Sequence, residues 1–300
     1  MNKNNTLQFW LTAFLTLFMS ASGFALFHFG FLGYGYTFFI IIPLCIGYFL
    51  GTRPGWGISF LVAVIIGFVS FFYLLITAQL EWFFCVIILL PLFVAVVLAG
   101  ILVGYSLMKY LKKEDRVNKA KISIIPLIVL LFSGTIEHFF SSKYEDAKVE
   151  STIYLAYEAS IVYDFIKSVD TLDGKKSLLM NLGLSVPQKC VLEKEEVGAK
   201  RTCYFDEGTI EEEVTEIKRG ELIKMKVTDY DLPGFKWLKF DDAIYLFEQK
   251  SDSTKLTRIT TYRSQLKPRI YWEFWEKQAI EAQHEYVLND LKRRLDKKPK

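Results

Sequence analysis

The sequence predicts an N-terminal α-helical membrane bundle of about five spans, followed by an α+β domain in which a curved antiparallel sheet surrounds one long C-terminal helix. Three observations predict it. Charge is divided unequally, with nine Lys and Arg and four Asp and Glu in residues 1–144 against 27 and 29 in residues 145–300. Period-two alternation dominates from about 150 to 264. An apolar stripe at spacings of three and four then runs close to the C-terminus.

Hydrophobic residues make up 52% of the chain and aromatics 16%, and the excess is concentrated in the first part. Apolar runs at about 8–29, 35–51, 56–78, 82–109 and 121–140 each approach the roughly 20 residues that a helix needs to cross the hydrocarbon core. No small-residue cleavage site closes the first run, which reads as a retained helix rather than a removed signal peptide. Pro43 in the second run and Pro91 in the fourth each predict an interruption of the helical ladder.

Positive charge sets the orientation. Lys109, Lys112, Lys113, Arg116, Lys119 and Lys121 crowd the segment between the fourth and fifth runs, Arg53 lies between the second and third, and Lys3 precedes the first. With five spans these segments share one side, the cytoplasmic one. The chain then reads as a multi-pass integral protein of a bacterial inner membrane with its C-terminal domain outside the cytoplasm; a re-entrant fifth run would reverse that. His28, Glu137 and His138 fall near the outer helix ends, either as a proton or ligand site or as headgroup-level residues.

The division is therefore 1–144 for the membrane region and 145–300 for the second domain. Near charge balance in the second domain gives no basic footprint for nucleic acid. Cys45, Cys85, Cys190 and Cys203 form no CxxC and no metal-type cluster, so neither a metal nor a cofactor is implied.

Within the domain, residues 150–157 read as a strand, Glu158–Val169 as a helix and Gly174–Leu182 as a short helical or irregular piece. Residues 198–228 read as three strands joined by turns at Asp206-Glu207-Gly208 and Lys218-Arg219-Gly220-Glu221. The first turn places Cys203 opposite Ile210 and Arg201 opposite Glu212; the second places Ile217 opposite Leu222 and Val214 opposite Met225. One face then carries Cys203, Phe205, Ile210, Val214, Ile223, Met225 and Val227, and the other is polar, so the first face is the covered one. Arg201 and Glu212 point into it, where a charge is tolerated only when paired.

Cys190–Glu195 pairs back through Val197-Gly198, which sets Leu192 opposite Cys203 and Cys190 opposite Phe205. The cysteines then lie diagonally, roughly 7–8 Å apart, and are expected as free thiols. Residues 229–242, with Phe235, Trp237, Leu238 and Phe240 among Lys236 and Lys239, read as a headgroup-dipping loop, a lid or a strand extension. A hairpin of 243–250 and 254–264 puts Tyr245, Phe247, Leu256, Arg258, Thr260 and Tyr262 on one face; parity alone leaves open whether that face is inside. Pro268 opens a helix of about 28 residues, striped by Ile280, His284, Val287, Leu288, Leu291 and Leu295. His284 on that stripe reads either as a satisfied core histidine or as part of a site.

The strand–helix entry Ile153–Val169, Gly198-x-x-Arg201-x-Cys203-x-Phe205, Gly208-x-x-x-Glu212-x-Val214-Thr215-Glu216 and the run from Leu256 to Arg263 leading into Tyr271-Trp272 and His284 resemble the helix-grip domains of the START-like (SRPBCC) superfamily, with its polyketide cyclase/dehydrase and lipid-transport members. The resemblance covers about 148–296. It implies a long helix lying across a curved sheet, the two enclosing a hydrophobic cavity. The reading placed first is membrane-anchored binding, or transfer, of a lipid or other hydrophobic small molecule. Arg201, Cys203, Phe205, Ile210, Glu212, Val214, Met225, Tyr245, Arg258, Tyr262 and His284 are the expected ligand-binding residues, with Arg201, Glu212 and His284 orienting a polar head. Set behind it are a cyclase- or hydrolase-like enzyme in which His284 and Glu212 exchange protons with a bound substrate, and a non-catalytic interaction module whose interior is closed by side chains. No catalytic constellation is carried over.

Overall fold

The computed structural model describes residues 3–28, 35–52, 58–78, 83–110, 144–232 and 238–297, with a few positions between 126 and 133. The chain forms two compact units, one of Met1–Lys143 with Gln265–Arg269 and one of Tyr144–Ser264 with Ile270–Lys300.

The first unit is helical: α1 (Lys3–His28), a π-helical turn (Thr37–Ile41) running into α2 (Ile42–Gly51), α3 (Ile58–Thr77) and α4 (Phe83–Tyr110). Among the described residues, α4 alone is long and apolar enough to cross a membrane; Phe9–Ala25, Thr37–Gly51 and Val62–Thr77 are shorter apolar helices. That corrects the expectation of five spans. The fifth run, with Glu137 and His138, lies almost wholly outside the described residues. Pro43 sits in the first turn of α2, where its missing N–H costs nothing. The helix α4 continues through Pro91.

Small residues hold these helices together. Gly47 and Gly51 of α2 lie against the backbone of α4 at Val97 and Ile101, and Gly100 and Gly104 of α4 lie against the backbone of α2 at Leu44 and Tyr48. Two GxxxG segments thus face each other, which lets the backbones meet with no side chain between them. Thr12, Thr16 and Ser20 are buried along one side of α1, and Thr16 meets Gly67 of α3. Large apolar side chains such as Phe14, Phe18, Val69, Leu98 and Leu102 point outward. Large apolar side chains fill the inside as well, among them Phe24, Phe71, Phe72 and Phe93, so apolar residues lie on both sides of these helices.

The second unit is α+β. Strands β1 (Glu145–Leu155), β2 (Pro187–Leu192), β3 (Lys200–Phe205), β4 (Thr209–Lys218), β5 (Leu222–Asp231), β6 (Leu238–Lys250) and β7 (Ser253–Ser264) form one antiparallel sheet in the order β1-β7-β6-β5-β4-β3-β2. Two short helices, α5 (Ala159–Ile166) and α6 (Leu178–Asn181), separate β1 from β2, and α7 (Arg269–Asp296) follows β7. This is a helix-grip arrangement: β1 and β7 close the sheet's sequence ends side by side, and α7 covers one face. The predicted stripe on α7 is buried along its whole length.

The β3–β4 register is as the Gly208 turn predicts, with Arg201 opposite Glu212 and Cys203 opposite Ile210. Between β4 and β5 the pairing of Val214 with Met225 holds, but Ile217 faces Ile223 rather than Leu222. Irregularities between Val214 and Glu216 and between Glu211 and Glu212 account for the shift, and such bulges add bend and twist to a sheet. The 229–242 segment is strand at both ends, Asp229–Asp231 in β5 and Leu238–Asp242 in β6, while Phe235–Trp237 lie outside the described residues.

The cysteine expectation is overturned. Cys190 stands directly opposite Cys203 and the two are joined by a disulfide. The loop between β2 and β3 is longer than a two-residue turn at Val197-Gly198: Glu193 N–H donates to the Lys200 carbonyl and Ala199 N–H to the Glu196 carbonyl. The register therefore slips by two residues, which leaves every side chain on its expected face but turns a diagonal pair into a direct one. Cys45 and Cys85 are in no disulfide among the described residues.

Candidate functional site

The site begins with strand alternation. Arg201 and Glu212 project to the face that also carries Val214, Ile223 and Met225, all three at 2% exposure or less. Parity left β6 and β7 open, and the structure resolves it: Tyr245, Phe247, Leu256, Thr260 and Tyr262 are buried on the face beneath α7.

Arg201 is fully occupied by its own fold. Its Nη1 donates to Glu212 Oε2 at 2.7 Å, its Nε to the Lys167 carbonyl at 3.1 Å and its Nη2 to the Ile166 carbonyl at 3.4 Å. With Arg201 and Glu212 side chains 3% and 6% exposed, the pair ties β3 and β4 to the end of α5. Met225 Sδ lies 4.0 Å from Nη1.

Tyr245 links this pair to a second guanidinium. The Arg201 Cζ lies 5.7 Å from the Tyr245 ring centroid and the Arg258 Cζ lies 5.5 Å from it, so one ring has two cations over it, within the range of cation–π attraction. Arg258 pairs across the sheet with Ser151 of β1 and Tyr245 of β6. Arg258 is half-buried; its Nε and Nη1 are sealed from solvent and have no hydrogen-bond partner among the described residues.

His284 of α7 closes the cluster. Its Nδ1 is 3.1 Å from Ser151 Oγ and its Nε2 is 2.8 Å from Thr260 Oγ1. Burial first, and then the positive charge of Arg258, push the imidazole pKa well below its ordinary value. The ring is neutral at pH 7, donating from one nitrogen and accepting at the other, with the hydroxyls taking the complementary roles. One turn and more before it on α7, buried Glu276 accepts from Ser264 Oγ at 2.6 Å and from the Tyr262 hydroxyl at 3.3 Å.

Of the expected residues, Arg201, Glu212, Met225, Tyr245, Arg258 and His284 form one connected polar cluster on an apolar face. Val214 and Tyr262 pack on that same face; Phe205 and Ile210 lie half-buried at the β3–β4 end. Cys203 has no free thiol. Glu212 bonds to Arg201, and His284 to Ser151 and Thr260, with no hydrogen bond between Glu212 and His284 among the described residues. Ser151, Thr260 and Glu276 were missed. Thr260 was legible as a neighbour of Arg258 by parity, but Ser151 enters only through the β1–β7 pairing, which joins strands about 100 residues apart.

No protein-family model matches the sequence, and no curated protein matches it. Among solved structures, the second unit is similar to protein Ms6760 from Mycobacterium smegmatis (12% identity over 52% of this chain and 97% of that one, TM-score 0.36). It is also similar to ginseng major latex-like protein 151 from Panax ginseng (14%, 50% and 97%, TM-score 0.33) and to a START superfamily protein from Mycobacterium smegmatis (12%, 51% and 98%, TM-score 0.35). These are distant likenesses, and the chemistry of the site rests on its own geometry.

Proposed function

We propose that the chain is a membrane-anchored, START-like binding protein whose domain, residues 145–300, takes up a lipid or other hydrophobic small molecule between its sheet and α7. The observation that carries this reading is an apolar covered face that holds a small polar cluster with hydrogen-bond donors still unmet. A mostly apolar site with a few placed polar groups is the usual make-up of a small-molecule pocket. Residues 1–144 supply the anchor, and the length and apolar composition of α4, with Leu98 and Leu102 pointing outward, support it. A closed interaction module is the second reading, favoured by Val214, Met225 and Leu256, which are completely buried.

Native mass spectrometry of the full chain ejected from nanodiscs discriminates the two. The expected result is a stoichiometric adduct that organic extraction removes and that returns when lipid is supplied. A chain that carries no adduct and takes up none has a closed interior.

The domain is further proposed to lie outside the cytoplasm. The disulfide supports it, since such bonds persist in oxidising compartments and are rare in the cytosol. Cells quenched in acid and alkylated under denaturing conditions are expected to yield chains with two blocked thiols, Cys45 and Cys85, and two more only after reduction. Four thiols reactive before reduction would put the domain in the cytoplasm.

A further inference from the structure

Two guanidiniums lie over Tyr245, that of Arg201 buried and that of Arg258 half-buried, but only Arg201 has a carboxylate. Glu212 is committed to Arg201 at 2.7 Å, and among the described residues no carboxylate forms an ion pair with Arg258. What surrounds Arg258 is a ring face, two hydroxyls and an imidazole: Tyr245 at 5.5 Å, Ser151 directly across the β1–β7 pair, and Thr260 two residues along, with His284 held between those hydroxyls. A charge whose Nε and Nη1 are cut off from water without an acceptor is costly. A protein that keeps one on an otherwise apolar face has kept it for something the fold alone does not provide.

The donors identify the missing group. A guanidinium presents a planar fork that matches two oxygens of a carboxylate or phosphate, and such charge-assisted bonds are about twice as strong as neutral ones. The hydroxyl that accepts from the His284 N–H keeps its own hydrogen and can add a donor, and the His284 ring is neutral and brings no competing charge. We infer that Arg258 anchors the anionic head of an amphiphilic ligand, a carboxylate or phosphate carried on an apolar chain that lies along the covered face of the sheet. The inference rests on the binding reading above and narrows it to one ligand class. It also moves the anchoring role from Arg201, whose donors the fold consumes, to Arg258.

The test uses the full chain in phosphatidylcholine nanodiscs with four probes: octanoate, octyl phosphate, octanol and inorganic phosphate. Binding is read by the shift in thermal unfolding across a titration. The expected result is that the two anionic amphiphiles bind at least tenfold more tightly than octanol and that inorganic phosphate alone gives no shift. In Arg258→Met the preference disappears while octanol binds as before, and the ligand-free variant unfolds at the same or a higher temperature, because two sealed donors without an acceptor have been removed. Arg258→Lys, which keeps the charge without the fork, retains part of the preference.

The outcomes separate cleanly. Octanol binding as tightly as the anions overturns the anchor and leaves hydrophobic binding standing. No binding of any alkyl probe overturns the binding reading, and the inference with it. Inorganic phosphate binding as well as octyl phosphate shows an anion site with no use for a chain, and a large drop in the stability of ligand-free Arg258→Met shows a structural arginine; either result overturns the inference. Whether octanoate or octyl phosphate binds more tightly decides between a carboxylate and a phosphate head.

Discussion

Replacing Glu212 alone with alanine is expected to destabilise the C-terminal unit by about 3–5 kcal/mol, the usual loss when one partner of a buried ion pair is removed. The Arg201 guanidinium would stay in a covered site with its closest counter-charge gone. Arg201→Met should cost a similar amount for the converse reason, leaving a buried carboxylate. The double variant Arg201→Met/Glu212→Leu should recover much of the loss, since two apolar residues of similar volume can replace a buried pair at little cost. Recovery is expected to stop short of the wild type. Arg201 also donates to the Ile166 and Lys167 carbonyls, and an unmet buried acceptor costs about 1–3 kcal/mol. The measurement is a double-mutant cycle on the full chain, with unfolding followed by loss of the sheet signal. Additive single losses would mean that the two side chains do not act as a pair.

That cycle also separates two arginines that look alike in the sequence. Both sit on the inner face of a strand and both lie over Tyr245. Burial separates them in part, since Arg201 is 3% exposed and Arg258 only half-buried. The difference is bookkeeping of hydrogen bonds: Arg201 has partners for all three of its nitrogens, whereas Arg258 has none for Nε and Nη1. A stability loss at Arg201 and none at Arg258 is therefore the joint expectation.

How far the sequence could be read follows from how local each contact is. The Arg201–Glu212 pairing was legible because Gly208, at φ 90°, fixes a short turn, and a short turn fixes the register on both sides of it. The Cys190–Cys203 pairing was not, because a longer loop leaves the register free to slip by two without exposing any apolar side chain. The same reasoning covers Ser151. Its place beside His284 depends on β1 meeting β7, and nothing near Ser151 encodes a partner about 100 residues away. The long helix was legible in both extent and face, since its stripe is a purely local period. In the first unit the described helices match the predicted apolar runs in extent, while among the described residues α4 alone qualifies as a crossing.

One signal in that part was present in the sequence and carries the second large effect. Gly47-x-x-x-Gly51 and Gly100-x-x-x-Gly104 are both visible as motifs; what only the structure supplies is that they face each other. A Cβ built on any of these four glycines runs into the backbone of the opposing helix, a carbonyl oxygen in each case, and a backbone carbonyl cannot swing aside as a side chain can. Gly100→Leu is accordingly expected to separate α2 from α4 and to abolish the single symmetrical peak of the chain on size-exclusion chromatography in mild detergent. Gly100→Ala should be the graded version, costing about 1–3 kcal/mol as overpacking does elsewhere. Leu102→Ala, on the outward face of the same turn at 65% exposure, should leave the peak unchanged. Helices in an apolar solvent have little hydrophobic drive to associate and depend on close van der Waals fit, so the fit lost at one glycine is shared by its neighbour. Gly47→Ala combined with Gly100→Ala should therefore cost less than the sum of the two, because the helices have already moved apart after the first change. Full additivity would mean that the two glycines sit in separate contacts, and tolerance of leucine at position 100 would mean that α2 and α4 do not pack backbone to backbone.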